Sequence, residues 1–154
     1  MPRPIRILFG TETGNAEGCA EELYDAVKAM GVAAEFTDMD DYDQADLPSE
    51  SMVLIVTSTF GNGDPPYNAY NLMEYLKSGD AADMPGVAFS VCGLGDRSYP
   101  NFAQCGRDFD ARFEALGAER VVARVDCDVD FEGPFETWKN DVLAQIATRF
   151  ADQV

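Results

Sequence analysis

The sequence predicts an α/β domain built on a parallel sheet with helices packed on both faces. Three observations point there. Short apolar runs alternate with stretches of helical period from end to end. The run Met52–Thr57 is continuously apolar, the mark of a strand buried on both faces. The loops that leave the first, third and fourth apolar runs are rich in glycine, hydroxyls, amides and aromatics, as ligand-binding loops at strand ends are.

Taken in order, Ile5–Gly10 reads as the first strand. Asn15 to Met30 follows with Ala20, Leu23, Ala26, Val27 and Met30 at helical spacing, and Gly31 closes it. Ala33–Thr37 is a short second strand leading into the acidic segment Asp38–Glu50. Met52–Thr57 is the third strand, Tyr67–Lys77 a helix and Val87–Gly93 a fourth, buried strand. Gln104–Leu116 is a helix ended by Gly117, Arg120–Val125 the fifth strand and Phe135–Phe150 the last helix. Strands alternating with helices require right-handed crossovers, which place ligands beyond the carboxyl ends of the strands.

Length and composition bound the function. A chain of 154 residues suits one domain, residues 1–154, burying about 70% of its unfolded surface. Eleven basic residues against twenty-eight acidic ones give a net charge of −17. Such a surface repels nucleic acid and anionic membranes and attracts basic proteins, although acidity also serves solubility. No charged-then-apolar leader and no apolar run near ~18 residues is present, so a cytoplasmic protein without a membrane anchor is expected. The chain has no histidine, which excludes Ser-His and Cys-His catalysis. Cys19, Cys92, Cys105 and Cys127 are widely spaced, form no CxxC pair and read as reduced packing residues rather than a metal site.

The loops define the ligand. Thr11, Glu12, Thr13, Gly14, Asn15 and Ala16 leave a strand and open a helix, where unsatisfied backbone N–H groups hold an anion. No Lys or Arg lies between Arg6 and Lys28, so a phosphate there is held by neutral donors. The third-strand loop, Ser58 to Pro66, and the fourth, Gly93 to Phe102, set aromatics among glycines that let backbone approach a ligand. A flat aromatic ring tethered to one phosphate fits these three loops together. A dinucleotide fingerprint is absent after the first strand, and Gly14 is followed by Asn15 rather than by the lysine of a P-loop.

The segments 11–17, 57–66 (Thr-Ser-Thr-Phe-Gly-Asn-Gly-Asp-Pro-Pro), 93–102 (Gly-Leu-Gly-Asp-Arg-Ser-Tyr-Pro-Asn-Phe) and 124–129 resemble the flavodoxin-like family. Within it they are similar to the FMN-binding domains of diflavin reductases, the sulfite reductase flavoprotein above all. The resemblance implies a three-layer sandwich with a five-stranded parallel sheet of order 2-1-3-4-5. It implies FMN, with its phosphate on Thr11 to Ala16 and one face of the ring beside Ser58, Thr59, Phe60 and Gly61. Leu94, Gly95, Asp96, Tyr99, Asn101, Phe102 and Ala103 match the loop on the other face, Tyr99 being the stacking position. Asp126 matches an acidic residue near the ribityl chain or ring.

The same resemblance implies a monomeric carrier of single electrons that catalyses nothing alone. Its donor would be an FAD-containing NAD(P)H reductase, and its acceptor a haem protein, a sulfite reductase or a radical enzyme, all basic at the docking face. The alternative from another class is a small flavoenzyme that reduces quinones or similar acceptors with NAD(P)H. That class builds a substrate pocket over the flavin from insertions or a partner subunit. Carboxylates of Glu35–Glu50 and Asp126–Glu136 are expected on the rim of the site. Replacing Thr13 with Val removes a neutral donor, so FMN affinity is expected to fall by about 1–3 kcal/mol while riboflavin affinity holds. An equal loss for both ligands in a fluorescence titration would show that this loop does not face the phosphate.

Overall fold

Strands β1 (Ile5–Gly10), β3 (Met52–Ser58) and β4 (Ala88–Leu94) form the buried centre of a parallel sheet. The computed structural model describes residues 3–11, 14–60 and 63–153. β2 (Ala34–Asp38) flanks β1, and two short strands, β5 (Glu119–Arg120) and β6 (Val125–Cys127), lie beyond β4. The order is β2-β1-β3-β4-β5, with β6 pairing the carboxyl end of β4. Side chains leave β3 alternately, Met52, Leu54 and Val56 into one core and Val53 and Ile55 into the other. Helices α1 (Asn15–Ala29) and α4 (Glu132–Arg149) close the first core through Leu23, Val27, Trp138 and Ile146. Helices α2 (Tyr70–Lys77) and α3 (Gln104–Ala115) close the second through Leu72, Leu76, Phe109 and Phe113. This is the expected three-layer α/β sandwich.

The fifth strand differs from expectation. The segment read as one strand from Arg120 to Val125 is two, interrupted at residues 121–124. β5 pairs with Ala88 and Phe89, while β6 pairs with Cys92, Gly93 and Leu94. At the gap a side chain replaces the ladder. The buried Ser90 hydroxyl donates to the Val122 carbonyl at 2.9 Å and accepts from Trp138 Nε1 at 2.8 Å. The last helix starts earlier than expected, at Glu132, because Pro134 in its first turn lacks an N–H that would have had no partner there anyway.

The acidic segment after β2 folds as two 3-10 turns, Met39–Asp41 and Gln44–Ser49. Asp38 and Asp43 enter them, their carboxylates accepting from the Asp40 and Ala45 amides at 2.8 and 3.1 Å. All four cysteines are free and buried, Cys92 and Cys127 touching at 3.9 Å between sulfurs. Burial pushes the Cys19 and Cys105 thiols up to about 12.

Glu50 ties the far edge of the sheet together. Its enclosed carboxylate accepts from Arg3 Nε and Arg6 Nε, both at 3.1 Å, and from the Tyr42 hydroxyl at 2.6 Å. Burial first, and then this bond to Glu50, raise the Tyr42 phenol above its ordinary value. The Arg6 side chain is only 15% exposed, so it has little water to replace the carboxylate. Glu50→Ala is therefore expected to cost about 1–3 kcal/mol in urea denaturation, because Arg3 and the Tyr42 hydroxyl lose their acceptor while Arg6 keeps Glu35 at 3.1 Å. A loss below about 1 kcal/mol would mean that the pair behaves as a surface salt bridge.

Candidate functional site

Strand order reverses between β1 and β3, and a cleft of about 620 Å³ opens beyond the carboxyl ends of the strands there. Its walls are Asn15, Ser58, Thr59, Phe60, Leu94, Gly95, Asp96 and Tyr99, with Asp128, Val129 and Phe131 on the side of β6. A pocket of about 80 Å³ shares Thr59, Gly95, Asp96 and Tyr99 and is completed by Asn101, Phe102 and Ala103. Phe60 and Tyr99 are 54% and 50% exposed, large aromatic surfaces left facing the opening.

Each loop is fastened by its own backbone chemistry. After β1, the Thr11 amide donates to Asn68 Oδ1 at 2.9 Å, and the Gly14 amide to Thr11 Oγ1 at 2.8 Å. Gly14 has φ 93°, a left-handed conformation that disfavours any side chain, and so offers the start of α1 no side-chain cap. Asn15, the first residue of α1, lines one end of the cleft, so the uncapped start of that helix lies beside it.

After β3, Phe60 and Asp64 exchange backbone hydrogen bonds of 2.7 and 2.9 Å. Gly63 has φ 119°, and a Cβ there would come within 2.8 Å of Asn101 Cβ, so the loops after β3 and β4 meet at this glycine. Thr59 joins the same two segments: its amide donates to the Leu94 carbonyl at 3.0 Å, and its hydroxyl accepts from the Cys105 amide at 3.0 Å.

After β4, the Asp96 carboxylate accepts from the Ser98 hydroxyl at 2.6 Å and the Ser98 amide at 2.9 Å. These bonds hold its acid below the usual carboxylate range, so Asp96 is ionised at neutral pH. Ala103, buried where α3 begins, sits at φ 55°. That conformation costs an L-residue roughly 1–2 kcal/mol. Asp128 clamps this loop to the one after β6. Its Oδ1 accepts from the Arg97 and Val129 amides at 3.0 and 2.8 Å, and its Oδ2 lies 3.4 Å from Arg97 Nε.

Of the residues expected at the site, Asn15, Ser58, Thr59, Phe60, Leu94, Gly95, Asp96 and Tyr99 line the main cleft, and Asn101, Phe102 and Ala103 the smaller pocket. Thr11 and Gly14 shape the loop rather than line the cleft, and Ala16 is buried in the core under α1. Glu12, Thr13 and Gly61 lie outside the described residues. Asp126 is not in the lining. Its carboxylate accepts from Arg124 Nε at 2.9 Å and lies 3.5 Å from Arg107 Nε. Sequence reasoning missed Asp128, Val129 and Phe131. The signal for them was present, because residues just past a strand at this edge belong to the site by the same rule that found the other loops. Among the described residues, no group of three His, Cys, Asp or Glu is placed to hold a metal, and no helix is long and apolar enough to cross a membrane.

A cleft of this kind at the switch point of a 2-1-3-4-5 sheet defines a doubly wound α/β binding domain. The flavodoxin profile matches residues 7–138. The sulfite reductase [NADPH] flavoprotein alpha-component of Vibrio cholerae is 44% identical over 140 residues, 91% of this chain and 23% of its own length. The component of the same name from Mannheimia succiniciproducens is 40% identical over 150 residues, 97% of this chain and 25% of its own. The chain thus spans about a quarter of the length of these relatives. Among solved structures, a Streptococcus pneumoniae TIGR4 flavodoxin superposes with a TM-score of 0.79 at 24% identity, over 93% of this chain and 99% of that one. The chain belongs to the flavodoxin family, whose members are FMN-binding electron-transfer domains.

The Asp128 clamp generates a prediction. Asp128→Ala leaves the Arg97 and Val129 amides without their acceptor, so hydrogen exchange is expected to quicken across 95–102 and 128–131. Because the site is a surface one, stability should fall by only about 1 kcal/mol. Unchanged exchange in both segments would show that the two loops are held by something else.

Proposed function

We propose that residues 1–154 act as one unit that carries single electrons on FMN held in this cleft, between an NAD(P)H-linked FAD reductase and a redox enzyme. The observation that carries the reading is the meeting of Phe60 and Tyr99, two half-exposed aromatics, with the start of α1 in one opening. At about 620 Å³, the cleft falls within the ~300–1,000 Å³ common for small-molecule sites. The chemistry of the lining fits a mononucleotide: neutral donors at the Thr11–Asn15 end suit a phosphate, and the aromatic and aliphatic surface of Phe60, Leu94, Tyr99, Val129 and Phe131 suits a flat ring. The name of the Vibrio cholerae relative, an NADPH-linked sulfite reductase flavoprotein, supports a donor of the reductase type and an acceptor of the sulfite reductase type.

FMN supplies the reversible one-electron chemistry when bound, and the residues around it set its strength as a reductant. Tyr99 presents an electron-rich ring to the cleft. Asp96 adds ionic charge beside it, Asp128 being answered by Arg97, and negative charge near a ring disfavours adding more. Together they favour a low potential for the second electron. The Asp128 clamp keeps Tyr99, Val129 and Phe131 in one geometry, so the ring meets a wall already in place.

Apoprotein is expected to bind FMN well above riboflavin and above FAD in a fluorescence titration, because the sequence after β1 offers neutral donors suited to one terminal phosphate. Equal affinity for riboflavin would overturn the phosphate assignment. Tyr99→Ala is expected to weaken FMN by about 1–3 kcal/mol and to raise the second one-electron potential, with Phe60→Ala doing less of both. The opposite ranking in photoreduction titrations would transfer the stacking role to Phe60.

A further inference from the structure

Resting on the reading that the start of α1 receives the phosphate of FMN, we propose that Asn68 is a positioning residue for that phosphate. It lines neither the cleft nor the smaller pocket. It acts through Thr11, and it sets the preference for a phosphorylated flavin over an unphosphorylated one.

The geometry is a relay of two hydrogen bonds. Asn68 Oδ1 accepts from the Thr11 amide at 2.9 Å across 57 residues of sequence, and Thr11 Oγ1 accepts from the Gly14 amide at 2.8 Å. Gly14 immediately precedes α1, and its carbonyl accepts from the Gly18 amide at 3.0 Å as the helix begins. With φ 93° and no side chain, Gly14 has nothing of its own to hold it there. The Asn68 side chain therefore fixes where the loop leaves β1, and Thr11 carries that position to the mouth of the helix.

Asn68 is itself held in place. It is the middle residue of the 3-10 turn Tyr67–Ala69, closed by the Ala69 amide donating to the Pro66 carbonyl at 2.9 Å. Ala69 is buried, and Gly10 at the end of β1 packs directly against it. A Cβ on Gly10 would stand 2.8 Å from Ala69 Cβ and 2.9 Å from Thr57 Oγ1. The bare glycine lets strand and turn touch, which brings Asn68 within reach of Thr11. On the other side of the turn, Asn71 Nδ2 donates to Asp40 Oδ1 at 3.0 Å. Donors aimed in advance hold an anion better than donors that must be ordered as it binds.

The choice of an amide side chain fits the same task. No Lys or Arg lies between Arg6 and Lys28, so an anion here relies on neutral donors and the helix start. A carboxylate at position 68 would hold the Thr11 amide equally well but set a negative charge beside the phosphate loop. The Asn68 carbonyl holds it without that charge.

The test titrates the apoprotein of the full chain with FMN and with riboflavin, and follows the Thr11 amide by NMR hydrogen exchange. Asn68→Ala is expected to weaken FMN about tenfold, to leave riboflavin within about twofold and to quicken Thr11 exchange. Asn71→Ala loosens the same turn but spares the Thr11 bond, so the FMN-to-riboflavin ratio is expected to stay within about twofold of the parent. Asn68→Asp is expected to restore slow Thr11 exchange, with an FMN deficit that closes to about twofold in ~0.5 M salt. An unchanged FMN-to-riboflavin ratio in Asn68→Ala, whether both affinities hold or both fall, overturns the proposal. So does Thr11 exchange that stays slow in that variant, or an Asn68→Asp deficit that salt does not close. A parent chain that binds riboflavin as tightly as FMN fails the phosphate reading itself, and the positioning role falls with it.

Discussion

The structure depends on the parallel pairing of β1, β3 and β4, with β3 buried on both faces. A strand in that position can neither shift register nor turn a polar face outward without exposing one of two cores. Its neighbours are locked by the same ladder, from Arg6 against Val53 to Ser58 against Leu94. Because all three strands run the same way, their exits lie at one edge. The loops that could carry a ligand site therefore meet there, whatever their own sequences prefer.

What the loops add is closure at a stability cost. Gly63 gives up a side chain so that Asn101 can press against it, and Ala103 accepts a left-handed backbone to start α3 under the pocket. Asp96 and Asp128 tie the loop after β4 to itself and to the loop after β6. Strain of this kind persists only where surrounding packing over-determines it, and that packing is the buried sheet. On the side of α3 and β6, Arg107 and Arg124 lie against Asp126 and Arg97 against Asp128, while on β2 Glu35 pairs with Arg6.

Much of this was legible in the residues. The continuous apolar run at Met52–Thr57 and the spacing of Leu23, Val27 and Met30 report burial directly, and burial is what the sheet and helices are made of. The cleft walls at Ser58–Phe60 and Leu94–Tyr99 followed from a topological rule that needs only strand ends. Other features depended on partners distant in sequence. The break in the fifth strand rests on Ser90 and Trp138 filling the gap, which no local pattern in Val121–Arg124 announces. Asp126 is outside the cleft lining, with its carboxylate against Arg107 and Arg124, while Asp128, two residues on, accepts from the Arg97 amide. Choosing between those two aspartates needs the three-dimensional positions of three arginines.

The central claim is that four loops, after β1, β3, β4 and β6, make one FMN site at this edge. Hydrogen exchange of the apoprotein with and without FMN tests it most directly. The account predicts added protection in residues 11–16, 58–66, 94–103 and 126–131 together. A groove of about 360 Å³ between Val122–Val125 and the Pro134–Asp141 side of α4 is predicted to stay unprotected. Protection confined to that groove, or found in only one of the four loops, would contradict the account.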